Sequence, residues 1–447
     1  MKAMRARNGV ISAAVAVALL ANPAWAEQVS LRDAVTIGVN RSPELGQAQA
    51  RTRAAEAGRD AAEREWLPKI EATGVYGWRH LENDARILTG LSAIKTRPYY
   101  ATISVNQPLW DFGRRYFSTR AQDGRRLAAS WDEEAAGEFA AYTIARAYLQ
   151  VRAQQSITEE AEANLSFHRK LNADILEGVD RGVMTIAEKQ QAEERLQGAR
   201  LALDQARADL DTARAELALL LGVSDFQLLT PPDPGPQLPA SLDAALAIAQ
   251  TSDPRLRSSE AKLRASKSNA ERTKIEYLPS IALQGTVRTG RDFEGYRGTT
   301  RDYEMLVIAR WTLFDGGITS ARIREANAGV DEASFALGQA QRESELAIRK
   351  SWIAIDGWQS RLALQQDRLK VARDLRVSYV EQFGIGRRSL LDLLDAQNAV
   401  FNASTEATVA QHGLWLAQYG LLGQVGRLRS FLGVSSDRID PRIYGPR

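Results

Sequence analysis

The stretch "YYATISVNQPLWDFGRR", residues 99–115, contains the change of pattern that decides the fold. From Tyr99 to Gln107 the residues alternate, with Ala101, Ile103 and Val105 on one side and Thr102, Ser104 and Asn106 on the other. A period of two marks a strand with one apolar and one polar face. Pro108 to Gly113 then brings two aromatic residues, an aspartate and a glycine. From about Arg114 to Glu177 no proline occurs, and the spacing predicts one long helix.

The same switch occurs a second time. "TLFDGG" (312–317) matches "PLWDFG" (108–113) at an offset of 204 residues. Further out, "SLRDAVTIGVNRSPEL" from Ser30 matches "SLDAALAIAQTSDPRL" from Ser241, an offset of 211 that holds through "EWLP" (65–68) and "EYLP" (276–279). The offset is 204 at "RGVMTIAE" (181–188) and "IGRRSLLD" (385–392), then 211 again at "LLGVSD" (220–225) and "FLGVSS" (431–436). A seven-residue difference after the turn is one heptad, which keeps the facing of a coiled-coil seam. The chain therefore reads as two repeats, 27–229 and 241–447, joined by a proline-rich linker, "TPPDPGPQLPA" (230–240).

Each repeat runs in the same order. A helix interrupted near Pro43 or Pro254 comes first, then two strands, a long helix, a tip turn and a return helix. The strands are expected at about 70–80 and 99–109, and at about 281–291 and 303–313; the tips at about 178–188 and 383–392. In the second repeat Leu306 and Ile308 fall on the nominally polar side. Runs of about 9–11 residues suit tilted transmembrane strands. Trp66, Trp110 and Phe112, and likewise Tyr277, Trp311 and Phe314, flank the two hairpins as an interfacial girdle would. A soluble α+β protein is the plainer reading of two hairpins. It fails on the helices, expected at about 62–64 residues, or close to 95 Å. Four strands cannot close a barrel, and an open edge cannot exist in a membrane. The chain must oligomerise if it spans one, and three copies would supply about twelve strands.

Composition bounds the rest. Residues 1–26 read as a leader: Lys2, Arg5 and Arg7, an apolar run from Val10 to Ala21, and "PAWA" (23–26) before Glu27. The net charge of +3 equals those three basic residues, so the exported chain is formally neutral and nucleic acid binding has no electrostatic support. There is no cysteine, which removes disulfides, thiolate metal sites and a lipidated N-terminus. His80, His168 and His412 lack ligand spacing and read as surface or interfacial residues. No motif for catalysis, cofactor or metal binding is present, so an enzyme is not expected.

On these residues the chain resembles the TolC-type outer-membrane channel family, the exit duct of type I secretion and multidrug efflux systems. The resemblance rests on the "LP" before each first strand, "QPLWDFG" and "TLFDGG" after each second, and the two tips. It implies a homotrimer with a twelve-stranded barrel in the outer membrane, continued by a helical tunnel in the periplasm. It implies as partners a periplasmic adaptor and an inner-membrane ABC or proton-driven transporter, with outer-membrane lipid around the barrel.

The resemblance also assigns residues. Asp392 and Asp395 match the acids that ring the periplasmic entrance; crowded carboxylates raise one another's pKa and attract cations. Arg388 and Glu188 match two members of a polar lock, and Phe383 stands where the lock's tyrosine is expected. Gly182, Val183 and Thr185 on one tip, with Gly386, Arg387 and Ser389 on the other, match the adaptor-docking surface. Thr185 and Ser389 are also placed as helix N-caps. Arg181 and Ile385 replace the valine that precedes each glycine in the family. A periplasmic adaptor would show a single hairpin between lipoyl-like and β-barrel segments, and a passive porin would build its barrel from one chain. Within the duct reading, the missing lipidated cysteine favours protein secretion over drug efflux.

Overall fold

The computed structural model describes residues 27–82, 84, 88, 94–295 and 297–434. The leader expected over 1–26 and the last residues of the second repeat, 435–447, lie outside them.

The first repeat opens with strand β1 (Glu27–Val29) and helices α1 (Leu31–Val39) and α2 (Pro43–Arg64). Ser30 and Ser42 cap the two helices, and Pro43 occupies the first turn of α2, where a missing N–H costs nothing. Strands β2 (Lys69–Tyr76), β3 (Arg79–Leu81), β4 (Ile94–Thr96) and β5 (Tyr99–Trp110) follow. Helices α3 (Arg114–Asp180) and α4 (Ile186–Leu221) form the first long hairpin, and β6 (Phe226–Leu228) pairs in parallel with β1. The second repeat contains α5 (Leu242–Ser252), α6 (Pro254–Lys274), β7 (Ser280–Arg291), β8 (Thr299–Arg310), α7 (Ile318–Gly384), α8 (Leu390–Gln424) and α9 (Leu428–Leu432).

Both strand-to-helix junctions work alike. Asp111 Oδ1 accepts from the Gly113 N–H (3.2 Å) and Oδ2 from the Arg115 N–H (3.1 Å). Asp315 accepts from Gly317 (2.9 Å) and Thr319 (2.7 Å). Gly113 and Gly317 stand at φ +94° and +90°, a left-handed turn that glycine adopts without strain. The aspartate–glycine motif thus starts a helix of 67 residues in each repeat, about 100 Å long.

Three expected boundaries move. β2 stops at Tyr76, opposite Tyr99, because Pro98 has no N–H to continue the ladder. β8 runs 299–310 and not 303–313: Arg310 faces Ser280, and beyond it Pro279 ends the partner strand. The second return helix, expected from Ser389 to Leu432, is not continuous. It breaks at Val425–Arg427, where Gly426 has φ +69° and a Cβ would lie 2.5 Å from the Ser252 carbonyl oxygen. The extra seven residues are taken up by this break and α9.

The four long strands form one antiparallel sheet in the order β2-β5-β7-β8. Its register places Ile70, Ile103, Val105, Leu283, Val287, Tyr303, Met305 and Val307 on one face, and Thr102, Ser104, Asn106, Gln284, Thr286 and Glu304 on the other. Leu306 and Ile308 lie opposite Gln284 and Ala282, on the polar face. The apolar face is bare: Met305 is 76 % exposed and Val307 68 %. Among the described residues, the outer edges of β2 and β8 have no partner strand.

Below the sheet, α3 packs against α2 and α6 along one half and against α4 and α8 along the other. Continuous helices therefore alternate with stacked shorter pairs. The main core lies midway along, where α1, α3, α4, α8, α9, β1 and β6 meet around Tyr148, Leu217, Leu221 and Tyr419. A smaller cluster lies at the tips.

Candidate functional site

At the end farthest from the sheet, two tight turns bring both hairpin tips together. Gly182 and Gly386 each have φ +73°, with open space around the missing Cβ, so conformation alone requires glycine there. The Arg387 N–H donates to the Gln382 carbonyl (2.9 Å), and the Val183 and Met184 N–H groups to that of Gly178 (2.9 and 3.1 Å). Thr185 and Ser389 cap the return helices, each in a capping box. Glu188 accepts from the Thr185 N–H (2.7 Å) and hydroxyl (2.9 Å); Asp392 accepts from the Ser389 N–H (3.3 Å) and hydroxyl (2.9 Å). Beneath the turns, Leu171, Ile175 and Ala192 of the first hairpin pack against Leu390, Leu393 and Leu394 of the second, with Met184, Tyr379 and Phe383 half-buried beside them.

This packing fixes what each candidate side chain does within one chain. Asp395 is exposed on α8, and the Arg195 guanidinium of α4 lies 3.6 Å away. Asp392, one turn earlier, is held as a capping-box acid with Arg388 at 3.8 Å. Arg388 donates to Gln382 Oε1 (3.0 Å) and lies over the Tyr379 ring at 4.5 Å. Among the described residues no hydrogen bond or ion pair joins Arg388 to Glu188. Phe383 supplies packing and no hydroxyl. A tyrosine ring does meet the arginine, but it is Tyr379, one helical turn before Phe383 and on the same face. That spacing was legible in the sequence. Arg195 and Gln382 were not, because the register between hairpins is set by packing.

The tips also present apolar surface. Val183 is 73 % exposed, Ile186 69 % and Ile385 67 %. Arg387 is exposed beside them. Above the tips, Gln397 donates to Asn164 Oδ1 (2.9 Å) in the buried seam between α8 and α3, and Arg376 donates to Gln397 Oε1 (3.1 Å). His168 is buried in the first hairpin, not at the surface; burial and the nearby Arg195 charge hold it below the ordinary histidine value.

Residues 39–223 and 245–427 match the family described as outer membrane efflux protein, and together they make up most of the chain. The chain belongs to that family, and it is a protein of the outer membrane. The family is one of channels and ducts, not of enzymes. The Brucella suis outer membrane efflux protein BepC is 25% identical over 327 residues, 73% of this chain and 72% of that one. The Pseudomonas aeruginosa alkaline protease secretion protein AprF is 26% identical over 354 residues, 75% and 70%. The solved outer-membrane channel OprN has the same fold, with a TM-score of 0.77, 22% identity and coverage of 89% and 90%.

Proposed function

We propose that three copies of this chain form a twelve-stranded barrel continued by a helical tunnel, and that the assembly is the exit duct of a tripartite export system. The observation that carries this reading is the sheet. Among the described residues it has four strands, two unpaired edges and a bare apolar face. In a membrane those edges must be closed by other copies. Aromatic residues at the strand-to-helix junctions, Trp66 (47 % exposed), Trp110 (58 %), Trp311 (59 %) and Phe314 (88 %), then lie at one membrane boundary.

At the tips, Asp395 and Asp392 of three copies converge as a cation-attracting constriction. Arg388 contributes to holding it shut, through Tyr379 and Asp392 within the chain and Glu188 across to a neighbouring hairpin. The exposed Val183, Ile186, Ile385 and Arg387 form the docking surface for a periplasmic adaptor, which links the duct to an inner-membrane ABC or proton-driven transporter.

Type I protein secretion is the reading we favour. The chain has no cysteine to carry a lipid, and AprF is named for protease secretion. Small-molecule efflux is the second reading, supported by the name of BepC.

Two experiments test this. In planar bilayers the purified protein is expected to give discrete conductance blocked by trivalent cations, with the block lost in Asp392→Asn/Asp395→Asn; a folded oligomer without conductance overturns the duct. In a deletion strain, loss of one or a few secreted proteins with drug tolerance intact supports secretion. Drug sensitivity with an unchanged secretome supports efflux.

A further inference from the structure

The far end of the sheet carries a cluster that the tips do not explain. Between β7 and β8, Asp292 is bonded to Gly298. Its N–H donates to the Gly298 carbonyl (3.0 Å), and its Oδ1 accepts from the Gly298 N–H (2.7 Å). Asp292 stands at φ +58°, unusual for a residue with a side chain, and the two bonds to Gly298 hold it there.

The next residue, Phe293, lies on the sheet, 8 % exposed and 5.1 Å from the Tyr100 ring. Tyr100 pairs with Gly290, and Thr102 and Ser104 follow it at period two on the same, polar face. Arg288, opposite Thr102, brings its guanidinium 5.8 Å from Tyr100 and 6.0 Å from Phe293. Gly290 makes room, since a Cβ there would lie 2.4 Å from the Tyr100 Cβ. Strand β3 pins Phe293 in place: Arg79 donates from Nη1 to the Phe293 carbonyl (2.8 Å).

The choice of face is informative. An apolar face with Ile103 51 % exposed, Tyr303 72 % and Met305 76 % lies on the other side of the same sheet, and Phe293 does not cover it. An aromatic residue that leaves that face for the polar one fits a sheet whose apolar face meets lipid and whose polar face lines a lumen.

From this geometry we propose, resting on the duct reading above, that Phe293, Arg288 and Tyr100, held by Asp292 and pinned by Arg79, form a size-selective constriction at the strand-loop mouth. A twelve-stranded barrel is about 24 Å across between backbones, from strand spacing and tilt. Three inward clusters narrow that opening, passing extended chains and small solutes outward while excluding bulky solutes from outside.

The absence of cysteine makes the test clean. Ser104→Cys is placed on the polar face beneath the cluster, and Ile103→Cys on the apolar face as its control. Intact cells are labelled with a small membrane-impermeant maleimide, and separately with one carried on a bulky polymer. Ser104→Cys is expected to react with the small reagent and only slowly with the bulky one, and Ile103→Cys with neither. Adding Phe293→Ala, or Arg79→Ala to release the pin without removing the ring, is expected to raise the bulky-reagent rate about tenfold, the effect of a 1.36 kcal/mol lower barrier to entry. The small-reagent rate should stay unchanged, which shows that the barrel is intact. Equal bulky labelling before and after both substitutions overturns the constriction and leaves the duct standing. Failure of the small reagent to reach Ser104→Cys overturns the lumen, and the constriction with it.

Discussion

Glu138 gives a prediction whose size follows from its surroundings. It lies on α3, 8 % exposed, facing the break between α8 and α9. Its carboxyl accepts from the Leu428 N–H (3.0 Å) and the Arg429 N–H (3.3 Å). Arg429, itself 7 % exposed, donates to Glu134 (2.8 Å). Burial raises Glu138 from 4.5 to about 7, outweighing the downward pull of those N–H groups and the Arg429 charge; Glu134 adds a smaller upward push. The folded value lies above the unfolded one, so the native chain binds the proton more tightly. The stabilisation is therefore full below pH 4.5 and is lost as pH rises through 7. Between pH 5.5 and 8.5 it changes by about 2 kcal/mol per chain. Unfolding of purified protein in detergent, followed at both pH values, should show wild type losing about 2 kcal/mol more than Glu138→Gln on going to pH 8.5. The same pH response in both proteins would refute the assignment.

Other outcomes follow from features already described. Thr185→Ala or Ser389→Ala removes a capping box and should cost about 1 kcal/mol; amide exchange at Glu188 or Asp392 should accelerate, and unchanged exchange would remove the cap's role. Gln397→Leu strands Asn164 in the seam at a cost of about 1–3 kcal/mol. Adding Asn164→Leu should recover much of that loss in thermal melts. Leu346, Ile353, Leu364 and Val371 form an exposed stripe along one side of α7. If three copies assemble as proposed, such a stripe is buried between them, so Ile353→Asp with Leu364→Asp should give a monomeric mass in detergent. Arg388→Ala should raise single-channel conductance, and unchanged conductance would take Arg388 out of the closed entrance.

Much of the fold was legible because its signals are local. Alternation at 99–107 is visible in five or six residues, and a proline or an Asp-x-Gly step acts on the chain beside it. What escaped depends on partners distant in sequence. The break at Gly426 is imposed by contact with Ser252, whose hydroxyl donates to the Val425 carbonyl at 2.8 Å. No property of 425–432 alone reveals it. The same holds at the tips. The positions of the acids could be read, but their neighbours could not: Asp395 faces Arg195 only because two hairpins pack in one register. Asp392 is occupied within the chain as a capping-box acid, and the entrance role proposed for it would fall on the same helix position.

The two 67-residue helices have a mechanical consequence. Each is a rod of about 100 Å, fixed at one end by an aspartate-capped junction to the sheet, so one degree of tilt there moves its tip by roughly 1.7 Å. Helix crossing angles scatter by about 15–20° from one packing to another. Tilts far smaller than that scatter would displace a tip by a side chain's width. With such leverage, arrangements that hardly differ near the sheet differ greatly at the tips, and the few polar contacts around Arg388 and Asp395 are where a small force has the longest arm.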